Sequence, residues 1–93
     1  MSKDDPLAAY GARLYQGIGD GASSPAELAA RALALTSSEE REPLRMRLRD
    51  ALANLSASEL KGELKHASEN YMFTPKGAHA FLTATLDQLE AGA

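Results

Sequence analysis

The chain has 93 residues and a net charge of −3, and it contains no cysteine. This length fits one small domain with one modest core. Without cysteine, a disulfide framework, thiolate chemistry and Cys-based zinc sites are excluded. The apolar residues include 18 Ala and 14 Leu, but only one Ile and no Val.

This apolar composition predicts the fold class. Ala and Leu are strong helix formers, whereas strands draw on Val, Ile, Thr and aromatic residues. We therefore expect an all-α fold, a small single-domain bundle of about five short amphipathic helices over residues 6–90. Residues 1–5 are expected to form a disordered tail and residues 91–93 a frayed C-terminus. Because a core of Ala and Leu is thin, we also expect a homodimer or a complex with a partner.

The sequence also bears on location and ligands. The N-terminal stretch is acidic and lacks the apolar segment of a signal peptide. No run approaches the roughly 18 apolar residues of a membrane span. We therefore expect a cytoplasmic protein with no membrane association and no cofactor. The acidic balance argues weakly against nucleic-acid binding, although residues 41–66 carry a net charge of +2.

The first predicted helix begins at Pro6, after Asp5 as N-cap, and ends near Gln16. The stretch at residues 17–21, GIGDG, resembles a phosphate-binding loop only superficially, because it lacks the strand or the Lys-Ser/Thr step of those motifs. It is interpreted as a flexible linker. One face of the helix is apolar at helical spacing: Leu7, Gly11, Leu14 and Ile18.

The second predicted helix begins with Ser24 as N-cap and Pro25 at the first helical position. Glu27, three residues after Ser24, completes the pattern of a capping box. Residues 36–40 end the helix. Its expected apolar stripe consists of Leu28, Ala29, Ala32 and Leu35.

The third helix has two candidate starts. Ser37 and Glu40 form a capping-box pattern, but a helix beginning there would contain Pro43, at a cost of about 3 kcal/mol. A start at Pro43 avoids this cost. We therefore expect a helix over residues 43–54, with residues 37–42 as a separate turn. Its apolar stripe consists of Leu44, Leu48, Ala51, Leu52 and Leu55.

Two more helices follow. Ser56 and Glu59 form another capping-box pattern, at the start of a helix that is expected to run to about Met72. Thr74 and Pro75 begin the fifth helix. The inward residues are expected to be Leu60, Leu64, Ala67 and Tyr71 in the fourth helix, and Ala78, Leu82, Thr85, Leu86 and Leu89 in the fifth.

Glu63 and His66 form an E-x-x-H step, which occurs twice in di-iron helical bundles. A second such step is absent, because the residue three before His79 is a lysine. The apolar stripe of the fourth helix also turns Glu59 and Glu63 toward water. We therefore expect no metal site.

A cationic surface is the first candidate for a binding site. Arg41, Arg45 and Arg49 recur at every fourth residue. Arginine pairs with carboxylates through a planar, two-pronged guanidinium and is enriched at interfaces. The alternative is a solvated face in which nearby carboxylates pair with these arginines. The predicted partner-binding residues, on the third and fourth helices, are Arg45, Arg47, Arg49, Lys61 and Lys65.

The start of the fifth helix is a second candidate. A helix N-terminus exposes backbone N–H groups and carries roughly half a positive charge. The cations in this turn oppose the helix dipole, which the fold alone does not explain. The predicted anion-binding residues are Thr74, Lys76, Gly77 and His79. The nearby aromatic residues are expected to lie in the core: Tyr71, Phe73 and Phe81.

These observations favour a small non-enzymatic protein-interaction module, such as an adaptor, an inhibitor or a chaperone-like protein. It would bind an acidic patch on a protein partner through the basic surface. A catalytic site needs a nucleophile, a base and an acid that converge in a pocket, and no motif positions them. The alternative is a helix-turn-helix-like nucleic-acid-binding regulator that uses helices 43–54 and 57–72. Against it, the fourth helix mixes lysines with glutamates.

Overall fold

The computed structural model describes residues 6–14, 18, 21, 23–67 and 74–91, apart from the side chains of residues 8 and 65–67. Within these ranges the chain is all-α, as predicted, and contains no strand. In chain order, the helices are α1 (Pro6–Gly11), α2 (Pro25–Ala34), α3 (Ser38–Asn54), α4 (Ala57–Ala67) and α5 (Pro75–Ala91).

The central helix of the bundle is α5. It packs against α2, α3 and α4, and α1 contacts α3 and α4. The Cα radius of gyration is 11.8 Å, close to the roughly 12 Å expected for a compact chain of this length. The inward stripes of the helices meet in one hydrophobic core, whose fully buried leucines include Leu44, Leu48, Leu60, Leu64 and Leu82.

An aromatic pair joins the first and last helices inside this core. The rings of Tyr10 and Phe81 stack with centroids 5.6 Å apart and planes inclined by 5°. Thr85 Oγ1 donates to Phe81 O at 2.9 Å, so the Tyr10 hydroxyl is the donor in its 2.8 Å bond to Thr85 Oγ1. Both buried hydroxyls are thereby satisfied. Burial raises the pKa of Tyr10 above its usual range, which the bond to Thr85 opposes in part.

The third helix begins earlier than predicted. Because α3 starts at Ser38, with Ser37 as N-cap, it contains Pro43, and the expected start at residue 43 is wrong. The Glu40 carboxylate accepts from Ser37 N at 3.1 Å and from Ser37 Oγ at 3.0 Å. Arg13 binds the same carboxylate. These contacts hold the first turn in place and offset the hydrogen bond that Pro43 cannot donate.

The first helix is shorter than predicted, because α1 ends at Gly11. In a continuing helix, Ala9 O would pair with Arg13 N. Instead it accepts from Arg13 Nη1 at 2.8 Å, while Arg13 N turns to Tyr10 O at 3.1 Å. The predicted apolar face is nevertheless buried at all four positions: Leu7, Gly11, Leu14 and Ile18.

The second helix begins where it was predicted, and Glu27 N donates to Ser24 Oγ at 3.2 Å. The Glu27 carboxylate accepts from Ser23 N and Oγ, at 3.1 and 2.7 Å. These bonds and Arg31 lower the pKa of Glu27. Leu35, expected to face the core, is 49% exposed because it is the C-cap residue, and Leu33 is buried in its place.

The last two helices begin at their predicted caps. Ser56 N donates to Glu59 Oε1 at 2.8 Å, and Glu59 N donates to Ser56 Oγ at 3.2 Å, which completes a capping box. Thr74 Oγ1 accepts from Gly77 N at 2.9 Å. Phe81 lies in the core, as predicted.

Some predicted features lie outside the described residues. They are the tail at residues 1–5, most of the linker at residues 17–21, the end of the fourth helix near Met72, and residues 92–93. The predicted core aromatics Tyr71 and Phe73 belong to the same group. Ala91, which was expected to fray, is the last residue of α5.

Candidate interaction surface

The arginines of α3 lie on two flanks of the helix. At 100° per residue, residues 41, 45 and 49 share one flank and Arg47 lies on the other. The first flank faces α2 and α5, since Arg41 binds Leu33 O and Arg49 lies beside Glu90. The second faces α4, since Arg47 binds Glu63.

Arg45 and Arg49 converge on one carboxylate of α5. Arg45 Nη1 lies 3.8 Å and Arg49 Nε 3.6 Å from Glu90 Oε2. Arg45 also donates to both carboxylate oxygens of Glu42, with Nε 3.0 Å from Oε1. These hydrogen bonds lower the pKa of Glu42 and raise the pKa of Arg45. The Arg45 side chain is 21% exposed and that of Arg49 is 62% exposed, so Arg49 is the more accessible cation.

Arg47 joins α3 to α4. Its Nη2 donates to Glu63 Oε1 at 3.1 Å, and its Nη1 lies 4.0 Å from Asp50 Oδ2. The side chain is 25% exposed. Arg47 therefore holds two helices together.

The two lysines of the predicted surface lie apart from Arg47. Lys61 and Lys65 each stand two residues from Glu63, which is about 200° around α4. Lys61 is partly buried and makes no ion pair with the described residues. The side chain of Lys65 lies outside the described part of the chain. The structure thus brings Arg45 and Arg49 together and places Lys61 on a different side of α4 from the residue that binds Arg47.

One face of α3 is exposed along the whole helix. We call it the outer face of α3, and its residues recur at intervals of three or four. Met46, at its middle, is 62% exposed. Sequence reasoning missed Met46, although its spacing places it opposite the buried leucines of the same helix. The outer face of α3 consists of Glu39, Glu42, Met46, Arg49 and Ala53.

A second residue that sequence reasoning missed is Arg13. Its Nη2 donates to both oxygens of Glu40, at 2.7 and 2.8 Å, and its Nε donates to Leu35 O at 2.7 Å. Together with its bond to Ala9 O, these contacts join α1, the end of α2 and the start of α3. The bonds from Ser37 N and Oγ, followed by Arg13, lower the pKa of Glu40.

Arg41, the first arginine of the ladder, caps α2. Its Nη2 donates to Leu33 O at 2.8 Å, and its Nε lies 3.4 Å from Thr36 O. A cation at a helix C-terminus binds carbonyls that have no partner within the helix and interacts favourably with the dipole. Arg41 is therefore engaged within the fold.

The predicted anion site at the start of α5 is exposed. Lys76 and His79 point to solvent and make no hydrogen bond or ion pair with the described residues. Gly77 is partly buried, and its N–H already donates to Thr74 Oγ1. The structure therefore places Thr74 as a helix cap and gives Lys76 and His79 no hydrogen-bond or ion-pair partner among the described residues.

The described residues include no group of three or more His, Asp or Glu side chains that could hold a metal ion. Among the described helices, none is long and apolar enough to cross a bilayer.

The fold and this surface define a small all-α domain with an arginine-rich helix. Neither the family models, nor the curated proteins, nor the solved structures with which the chain was compared include a match. Any function proposed for the chain therefore rests on its own residues.

Proposed function

We propose that the chain is a small non-enzymatic protein-interaction module that binds an acidic segment of another protein through its basic surface. The observation that carries the proposal is Met46, 62% exposed beside the equally exposed Arg49. Methionine and arginine are both enriched at protein interfaces. An exposed methionine beside an arginine can bind an amphipathic segment that presents an apolar residue to Met46 and a carboxylate to Arg49.

The arginines of the predicted surface would have different tasks. Arg45 and Arg47 are mostly buried and hold neighbouring elements, so they support the surface. Arg49 has one ion-pair contact, at 3.6 Å, with a carboxylate that it shares with Arg45. A partner carboxylate can therefore bind Arg49 without breaking a strong internal bond. Lys61 and Lys65, on α4, would add longer-range attraction for an acidic partner.

Affinity capture from the native cell extract tests the proposal. The bait carries two substitutions on the outer face of α3, Met46→Asp and Arg49→Glu, and is compared with the wild-type chain. We expect a partner retained by the wild type to be lost, because the variant removes the apolar contact and repels an acidic segment.

The matched control is Lys76→Glu, which reverses one exposed charge in the first turn of α5 and leaves the outer face of α3 unchanged. We expect this control to retain the same partner as the wild type. If all three baits retain the same proteins, the outer face of α3 is not the binding site.

Nucleic-acid binding is the alternative function. The helices that would form the helix-turn-helix pair are joined by the short link Leu55-Ser56. However, Arg47 is already bound to Glu63 of α4, so this cation is not free for a phosphate. Fluorescence anisotropy with labelled duplex DNA at low salt separates the two functions. Binding that weakens steeply with added salt would favour the alternative.

A further inference from the structure

The charges of α3 are arranged so that the helix is complementary to itself. On the outer face of α3, the acidic residues Glu39 and Glu42 precede Met46, and the basic residue Arg49 follows it. If two such helices lie antiparallel, the acidic half of each faces the basic half of the other. Met46 stands near the boundary between the two halves.

We propose that the outer face of α3 binds a second copy of this chain in an antiparallel pair, with the two-fold axis at Met46. The inference does not depend on the proposed partner function, but it uses the same face, so a second copy and a partner segment would exclude each other there. The two copies of Met46 would cover each other and remove from water the large apolar side chain that the single chain leaves 62% exposed.

The positions of Glu42 and Arg49 make the pairing specific. They are seven residues apart, so they lie within about 20° of each other around the helix. Glu42 stands about 6 Å before Met46 along the helix axis and Arg49 about 4.5 Å after it. A two-fold axis at Met46 places each flank of the helix beside the same flank of its copy. Each Glu42 would then face Arg49 of the second copy, with an offset of about 1.5 Å along the axis.

Both groups can make this contact. Their side chains are each 62% exposed. The Glu42 carboxylate accepts from Arg45, and a carboxylate offers about four acceptor positions. Asp50 would repel Glu42 of the second copy if the two were adjacent. It lies on the opposite side of Met46 from Glu42, and Asn54 Nδ2 donates to its Oδ1 at 2.9 Å. Glu42 and Arg49 are therefore both accessible to a second copy, at the spacing that the antiparallel pair requires.

Sedimentation equilibrium of the pure 93-residue chain tests the proposal without any other protein. A contact made by one helix from each copy is a small interface and gives a weak dimer. We expect the mass to rise from 9.9 kDa toward twice that value between about 10 µM and 1 mM. A mass that stays at the monomer value over this range would overturn the proposal.

Charge reversal tests the register of the pair. We expect Glu42→Arg alone and Arg49→Glu alone each to raise the dissociation constant about tenfold, because each places like charges together at two symmetric positions. The combined variant restores both contacts and should dimerise like the wild type. Circular dichroism checks that each variant is folded. If the combined variant dimerises more weakly than either single variant, the register is wrong.

Single cysteines test the orientation, which is possible because the chain has none of its own. In the antiparallel pair, two copies of Met46→Cys meet at the axis and should form a disulfide on mild oxidation. The control is Ala53→Cys on the same face, whose two copies would be about 21 Å apart along the helix axis. Equal cross-linking at both positions would indicate parallel helices, and none at position 46 would place the contact elsewhere. Either result would overturn the proposal.

Discussion

The guanidinium of Arg13 donates from Nη2 to both carboxylate oxygens of Glu40, at 2.7 and 2.8 Å, across 27 residues of sequence. The same side chain binds Leu35 O at the end of α2 and Ala9 O in α1. One arginine thus satisfies acceptors from three elements at their meeting point. This contact also supports the capping box of Ser37, with which α3 begins before Pro43.

Removing this guanidinium should destabilise the fold. We expect Arg13→Gln to lower the free energy of unfolding by about 2 kcal/mol, since two carbonyls lose a donor and the Glu40 carboxylate keeps only its bonds from Ser37. Urea unfolding followed by circular dichroism measures the change. The control is Arg49→Gln, whose exposed side chain should contribute less than about 0.5 kcal/mol. Equal losses in both variants would contradict the role assigned to Arg13.

The stability of the chain should depend on pH through Glu40. The pKa of Glu40 is lowered from 4.5 in the folded chain, first by the hydrogen bond from Ser37 N and also by Arg13. The folded state therefore binds fewer protons than the unfolded state in this range. The ionised Glu40 carboxylate therefore stabilises the fold fully above pH 4.5, and this contribution is lost as the pH falls through the folded pKa of Glu40.

The variant Glu40→Gln isolates this contribution, because the other carboxylates are unchanged. We expect the wild type to have a higher Tm than Glu40→Gln at pH 7 and the difference to shrink as the pH falls below 4.5 and through the lowered folded pKa of Glu40. Thermal melts over this range measure it. A difference that does not change with pH would show that Glu40 stabilises the fold by hydrogen bonding alone, without its charge.

The two partners of the buried hydrogen bond between Tyr10 and Thr85 should differ in how much stability is lost when one of them is replaced. We expect Thr85→Val to cost about 1–3 kcal/mol, because it leaves the Tyr10 hydroxyl buried without a partner. Tyr10→Phe should cost about 1 kcal/mol, since Thr85 still donates to Phe81 O. The double variant should lose less than the sum of the two. Additive losses in urea unfolding would contradict the bond.

Two glycines should respond in opposite ways to alanine. A Cβ at Gly62 would meet nothing within 4 Å, and an alanine in a helix interior is favoured over glycine by about 0.5–1 kcal/mol. We therefore expect Gly62→Ala to raise the free energy of unfolding by that amount.

Gly21 is the matched contrast. Its φ of +78° is a conformation that side chains with a Cβ rarely adopt. A Cβ there would lie at an ordinary distance of 3.8 Å from Arg31 Nη2, so the backbone alone decides the effect. We expect Gly21→Ala to cost about 1–2 kcal/mol. A gain in stability at Gly21, measured in the same unfolding experiment, would contradict this interpretation.

Local sequence signals predicted most of the helices and their inward faces. Ser24, Ser56 and Thr74 are caps because their side chains bond to backbone groups only three residues away. Burial also followed the helical spacing of leucines such as Leu48 and Leu64. Such features depend on residues close in sequence, so the sequence contains all that is needed to predict them.

The candidate site was predictable only in part. The sequence indicated that the third helix is rich in arginine, yet it did not indicate which arginines stay accessible. Arg45 and Arg49 meet Glu90 on α5, and Arg47 meets Glu63 on α4. A lone methionine in a helix forms no functional motif, so the sequence did not mark Met46 as a binding residue.

By itself, the sequence determined the all-α class, the caps and most of the core of this protein, because these follow from contacts within one or two helical turns. The tertiary structure decided between the two candidate starts of α3, since Arg13 reaches Glu40 and Leu35 O from across the chain and supports the capping box of Ser37. It also decided which charges stay accessible. Ion pairs to neighbouring residues engage Arg45 and Arg47 and leave Arg49 62% exposed, whereas Met46 is exposed because its spacing places it opposite the buried leucines of α3.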